Sequence, residues 1–330
     1  MNDDRRALVL GVTGGVGDAV ARVLCACGWR VTALHRDPAR ARIGRSDIDW
    51  VRGDAMNGKD VHMAARGCDL IVHAVNPPGY RNWRGLALPM LRNTIAAASA
   101  QGALILFPGN IYNYGPDAFP LLGEASPQNP LTRKGSIRVA MERELTRAAD
   151  AGVRSLIVRA GDFFGPHAGN SWFSRGLVKA GAPLRSVTYP GRPDAGHAWA
   201  YLPDLAETMV RLAERANELA PFETFHFAGH GLPRGLDMAE AIRRVVERPD
   251  LPVRKFPWPA AYLAAPFVTT LREMLEMRYL WRETVLLDNT KLTAFLGAEP
   301  HTPLDDAVRA SLQGLGCLEP GYMNNLVNFI

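Results

Sequence analysis

Short unbroken apolar runs alternate with segments of helical apolar spacing through the first half of the chain. Residues 7–11 (ALVLG) form such a run, the pattern of a parallel strand buried on both faces. Over 16–27, Val16, Val20, Val23 and Leu24 recur at helical spacing, and Gly28 follows as a stop. Residues 30–34, 48–51, 69–74, 103–107 and 154–159 predict five further strands, and 86–100 and 135–149 predict helices. This alternation argues for a parallel sheet with helices on both faces.

Beyond Gly165 the pattern loosens. Residues 166–194 are rich in Gly and Pro and read as an excursion that covers a ligand. Residues 198–202 predict a strand, 203–217 a helix and 223–227 a strand able to return to the main sheet. The rest is mostly helical, with a short strand near 285–287.

The first apolar run leads into Gly11-Val12-Thr13-Gly14-Gly15-Val16-Gly17. Gly11 and Gly14 permit a tight turn and close backbone approach to a pyrophosphate. Gly17 permits close helix–sheet packing, and the helix start presents N–H groups to phosphate. Placed between a buried strand and an amphipathic helix, Gly11, Thr13, Gly14, Gly15, Val16 and Gly17 are candidate dinucleotide ligands. The second strand ends in Leu34-His35-Arg36-Asp37. Arg36, with His35, suits a 2′-phosphate and favours NADP over NAD, whereas Asp37 would serve a ribose 2′-hydroxyl. The expected fold is therefore α/β, a Rossmann-type doubly wound parallel sheet with a smaller, mostly helical C-terminal substrate lobe. Residues 1–165 form the dinucleotide domain, with its sheet completed by 196–245. Residues 166–195 and 246–330 form the lobe.

Composition narrows the partners. The chain is 47% hydrophobic and 22% charged, ordinary for a globular protein. Its net charge of +5 suits an anionic ligand, but no run of five Lys/Arg supports nucleic-acid binding. Cys25, Cys27, Cys68 and Cys317 form no CxxC pair, which points to a reducing compartment, the cytoplasm. The first apolar run is too short for a signal peptide, and no stretch approaches the ~20 apolar residues of a membrane span. A small molecule is the expected partner, without membrane or nucleic acid. His226 and His230 have no third ligand in view, so no metal is expected. Trp258, Tyr262, Phe267, Tyr279 and Trp281 predict lobe core or an interface. Arg272, Glu273, Glu276 and Arg278 predict a solvated helix face.

Over nearly its whole length the chain resembles the extended short-chain dehydrogenase/reductase superfamily, in particular the NAD-dependent epimerase/dehydratase group. The glycine turn carries the resemblance first. Gly53-Asp54-Ala55 and His73-Ala74-Val75-Asn76 follow two strands where that group lines its cofactor. Residues 159–166 (RAGDFFGP) look like its RxxNxxGP, residues 197–204 (HAWAYLPD) like its motif beside the substrate lobe, and 287–292 with Leu296-Gly297 like its C-terminal pattern. The resemblance implies that Asp54, Ala55, Ala74, Val75, Asn76, Ala160 and Asp162 border the cofactor. It also implies a homodimer through the long helices.

The catalytic pattern departs from that group, which uses a Ser/Thr and a Tyr-x-x-x-Lys pair to manage a proton at the substrate oxygen. Asn110 stands at the Ser/Thr position, Lys134 at the Tyr position and Arg138 at the Lys position, and no Tyr-x-x-x-Lys occurs in the chain. Three readings stay open. Lys134 protonates an oxygen in a dry pocket beside Arg138, with Asn110 polarising a carbonyl, or Tyr112 or Tyr114 supplies the acid. Alternatively, the substrate needs little proton help. In the third reading catalysis is lost, and the chain is a non-catalytic NADP(H)-binding sensor or regulator. The expected activity is that of an NAD(P)-dependent oxidoreductase or epimerase/dehydratase-like enzyme on a small hydroxyl or carbonyl compound.

Overall fold

The computed structural model describes residues 5–42, 45–77 and 82–319. Residues 1–4 and 320–330, the ends of the two expected domains, lie outside the described residues. The chain begins β1 (Arg6–Leu10), α1 (Gly15–Ala26), β2 (Arg30–His35), α2 (Pro38–Ala41), β3 (Asp49–Arg52), α3 (Gly58–Ala64), β4 (Leu70–His73), α4 (Trp83–Gln101) and β5 (Leu104–Asn110). It continues β6 (Leu121–Leu122), α5 (Arg133–Asp150), β7 (Ser155–Ala160), β8 (Asp162–Phe164), β9 (Val187–Tyr189), β10 (His197–Tyr201), α6 (Leu202–Glu214), β11 (Phe222–Phe227) and β12 (His230–Leu232). The last part holds α7 (Asp237–Val245), β13 (Val253–Lys255), α8 (Trp258–Ala264), α9 (Thr269–Glu276), β14 (Leu286–Leu287), α10 (Thr290–Leu296) and α11 (Leu304–Gly314).

Seven strands pair in the order β11-β7-β5-β4-β1-β2-β3, every pair parallel. This is a Rossmann-type doubly wound sheet. β11 returns to the main sheet beside β7, where residues 223–227 predicted a strand. Along β1, Ala7 and Val9 face α1 and α6, packing with Val20, Leu24 and Met209. Leu8 and Leu10 face α3 and α4, packing with Val61 and Leu91. The period of two and the burial of both faces explain why this run lacks polar alternation. Each fully buried Val or Leu contributes roughly 1.5–3 kcal/mol.

The chain order along the sheet reverses between β4 and β1. At such a switch point the connections on either side diverge to opposite faces, leaving a crevice at the carboxyl ends of the strands. The glycine turn after β1 sits there.

A second core lies beyond β7. β10 pairs parallel with β8 and antiparallel with β12, and Phe164, Phe173, Trp199, Met238, Ile242, Trp281 and Leu312 pack together around them. The Gly/Pro-rich stretch is structured in part: it carries a π-helical turn at Phe173–Leu177, and its β9 pairs with β13. Of the late aromatics, Trp258 and Trp281 are buried, whereas Tyr262 and Phe267 are exposed. No described helix is long and apolar enough to cross a membrane.

Candidate active site

The β1–α1 turn has the form its glycines imply. Gly11 has φ +92°, and a Cβ there would lie 2.5 Å from the carbonyl oxygen of Ala74. A Cβ on Gly17 would collide with the carbonyl oxygen of Gly11. The turn is thus pressed onto the exit of β4, and α1 onto the turn. No side chain caps α1, Gly14 is its N-cap residue, and Thr13 and Gly14 are exposed. Backbone N–H groups at a helix start with no side chain over them fit a pyrophosphate.

At the end of β2, Arg36 is exposed. The Asp37 carboxylate accepts the Arg40 N–H as the N-cap of α2, and the His35 ring contacts the backbone of Asp37. Asp54 accepts the Met56 N–H, and the Ala55 carbonyl accepts from Asn93. Ala74 and Val75 are half-buried against Gly11. The Ala160 methyl lies in the sheet core rather than on an open surface.

Lys134, Arg138 and Glu142 are spaced four apart on α5, so they share one face. Each reaches a different part of the molecule. Lys134 Nζ lies 3.0 Å from a Glu273 carboxylate oxygen and donates to the Glu273 backbone carbonyl at 3.0 Å. Arg138 donates to the Asn76 side-chain oxygen at 3.3 Å, and its guanidinium lies over Trp83 and Phe107. Glu142 takes a bidentate pair from Arg159 of β7, at 3.1 and 2.6 Å. The helix start is held by Thr132, whose hydroxyl accepts the Gly135 N–H, and by Glu276, whose carboxylate accepts the Lys134 N–H at 3.0 Å. A Cβ on Gly135 would strike the Tyr112 carbonyl, so this glycine lets the segment after β5 pack on α5.

These elements enclose a cavity of about 150 Å³ at the carboxyl ends of β4, β5 and β7. It brings together Lys134, Arg138, Asn76, Asn110, Tyr112 and Asp162 from the sequence-predicted set. Asn110 also accepts the Tyr112 N–H, which turns the chain after β5. Burial lowers the pKa of Lys134, with Glu273 opposing the shift. Asp162 holds His197 at 2.8 Å, and the His197 ring stacks on Trp281.

Tyr114 does not line this cavity. It is fully buried, its hydroxyl 2.6 Å from Arg159 and 2.9 Å from His226. Burial pushes it up to about 12, a poor setting for a proton donor. Glu273 is a second correction. It is 3% exposed and paired with Lys134 rather than on a solvated face, and Glu276 caps α5. The aromatic and thioether walls Trp83, Trp172, Met274 and Met277 also escape sequence reasoning, because residues distant along the chain meet only on folding. Among the described residues no group of His, Cys, Asp or Glu is placed to hold a metal ion.

A glycine-rich strand-to-helix turn at the switch point, and a cavity at the strand ends, define a doubly wound protein with its site in the sheet crevice. Residues 7–228 match the NAD dependent epimerase/dehydratase family, and the chain belongs to that family. The fold is similar to that of UDP-glucuronic acid 4-epimerase from Bacillus cereus, solved with UDP-glucuronic acid and NAD. The TM-score is 0.74 at 14% identity, covering 94% of this chain and 98% of that one. It is also similar to UDP-glucose 4-epimerase from Bifidobacterium longum with NAD+ and UDP (TM-score 0.73, 15% identity, 95% and 100% covered). A putative epimerase from Burkholderia cenocepacia gives a TM-score of 0.72 at 21% identity, with 96% and 100% covered. No curated protein sequence matches the chain significantly.

Proposed function

We propose that this protein is an NAD(P)-dependent oxidoreductase or epimerase/dehydratase-like enzyme for a small hydroxyl or carbonyl compound. Lys134 does the work of the missing tyrosine. The observation that carries this reading is the buried Lys134–Glu273 pair, set in one cavity with Arg138, Asn110 and Tyr112. The glycine turn and α1 would hold the pyrophosphate, and Ala74, Val75 and Asn76 would border the rest of the cofactor. A bound nicotinamide supplies the ring that exchanges hydride. Lys134 Nζ gives a proton to the carbonyl oxygen as its carbon is reduced, and takes it back in the oxidative direction. Burial makes the neutral amine accessible, and Glu273 steadies the ammonium, so both protonation states are within reach. Arg138, aligned over Trp83 and bonded to Asn76, orients the groups around the ring.

NADP is the preferred cofactor in this reading. Arg36 is exposed at the end of β2, while the Asp37 carboxylate is engaged in capping α2. The two UDP-sugar 4-epimerase structures named above were solved with NAD, so the preference rests on Arg36 alone. Calorimetric titration at one salt concentration tests it. NADPH should bind roughly tenfold or more tightly than NADH, and Arg36→Ala should remove the difference. Equal binding of both would overturn the preference, and binding of neither would overturn the enzyme.

One observation favours a second reading. Lys134 ties α5 to α9 through a side-chain pair and a backbone carbonyl, which is also what a structural latch in a non-catalytic dinucleotide sensor would do. Cofactor binding without turnover on a broad carbonyl panel would favour it.

A further inference from the structure

The walls of the cavity restrict what can enter it. Trp83, Ile111, Phe163, Trp172, Met274 and Met277 supply carbon and sulfur surface. Several of the polar groups beside them already have partners within the protein. Lys134 pairs with Glu273, Asp162 with His197, Ser171 with Ser174, and Arg175 with the Gly169 carbonyl. Trp172 is held by a packed aromatic cluster, its ring centroid 5.1 Å from that of Trp281 and 6.2 Å from those of Trp258 and Phe256. It is a fixed wall. The two methionines are adaptable ones, since a thioether side chain refits its neighbours easily.

A sugar ring would bring several hydroxyls against these walls. A hydroxyl taken from water without a new partner loses its hydration and gains nothing in return. A cavity of about 150 Å³ has room for one apolar ring.

Resting on the reading of this cavity as the substrate site, we propose that it takes a ketone or secondary alcohol on a single apolar ring, aromatic or alicyclic. The oxygen is directed to Lys134, the ring lies against Trp172 and Met274, and a sugar nucleotide is excluded.

Saturation-transfer NMR on the NADPH-loaded protein tests this, with acetophenone, cyclohexanone and UDP-glucose as probes. Both ketones should saturate, and UDP-glucose should not. Trp172→Ala should weaken the ketones by about tenfold. Met274→Asn, which places an amide on a half-buried wall and avoids the aromatic cluster, should weaken them in the same direction. NADPH affinity, measured beside it, should stay unchanged in both variants. UDP-glucose binding more tightly than either ketone would overturn the proposal. So would ketone binding that neither variant alters, or no ketone binding to protein that holds NADPH. Failure to bind NADPH at all would instead bring down the enzyme reading beneath it.

Discussion

Lys134 is buried and paired with the Glu273 carboxylate, and that pairing couples its chemistry to stability. Removing one partner of a buried pair strands the other, at a cost of about 3–5 kcal/mol. Lys134→Met should therefore destabilise the protein by roughly that amount and lower turnover by about a hundredfold or more. The double variant Lys134→Met/Glu273→Leu should recover much of the stability, because two apolar side chains replace two charges, but none of the turnover. Chemical denaturation alongside a turnover assay separates the two effects. Recovery of activity in the double variant would sink Lys134 as the proton donor.

At the scale of elements, two helices determine the site. α1 is packed so closely on the turn after β1 that Gly17 has no room for a methyl. Gly17→Ala should cost about 1–3 kcal/mol through overpacking and weaken dinucleotide binding by about tenfold, as read by calorimetry. α5 is held by contacts at both ends of its polar face. Glu276 and Thr132 cap its first turn, and the Glu142–Arg159 pair fixes its rotation on the sheet. Glu142→Gln leaves Arg159 buried beside a neutral amide and should lower stability by about 3 kcal/mol. It should also weaken turnover without touching the cavity, whereas an unchanged melting temperature would mean α5 is held elsewhere.

For the whole molecule, buried histidines make stability depend on pH. His226 donates to the Leu122 carbonyl through one ring nitrogen and faces Tyr114 and Arg159 with the other. Burial, aided by the Arg159 charge, pushes it down to about 4, and burial does the same to His230. Burial with the Arg138 charge takes His73 to about 3. A histidine whose pKa is lower in the folded state contributes stability that is full above its unfolded value near 6.5. That contribution is lost as pH falls from there toward 4, because the unfolded chain takes up the proton first. His226 alone accounts for about 3 kcal/mol across that window. The melting temperature should be level above pH 7 and fall below 6.5, and His226→Gln should flatten the fall. A level profile down to pH 4.5 would contradict this account.

Hydrophobic pattern and turn chemistry are local properties, and the sequence by itself determined what depends on them. The main-sheet strands, the long helices between them and the tight turn at Gly11–Gly17 follow from burial on two faces and from positions where only glycine fits. The short helices α2 and α3 left too little periodicity to read, and their starts rest on the side chains of Asp37 and Asn57. The equivalence of Lys134 and Arg138 to a catalytic pair was legible as a motif, but their surroundings were not. Tertiary structure alone decided that Glu273, 139 residues further along the chain, is buried against Lys134. It likewise took Tyr114 out of the cavity into the Arg159–His226 cluster and brought Trp172 and Met274 into the cavity wall. A charged or aromatic side chain carries no mark of which distant segment will desolvate it. That depends on how the lobe closes over the strand ends, a balance of burial against the loss of hydration that only the packed molecule settles.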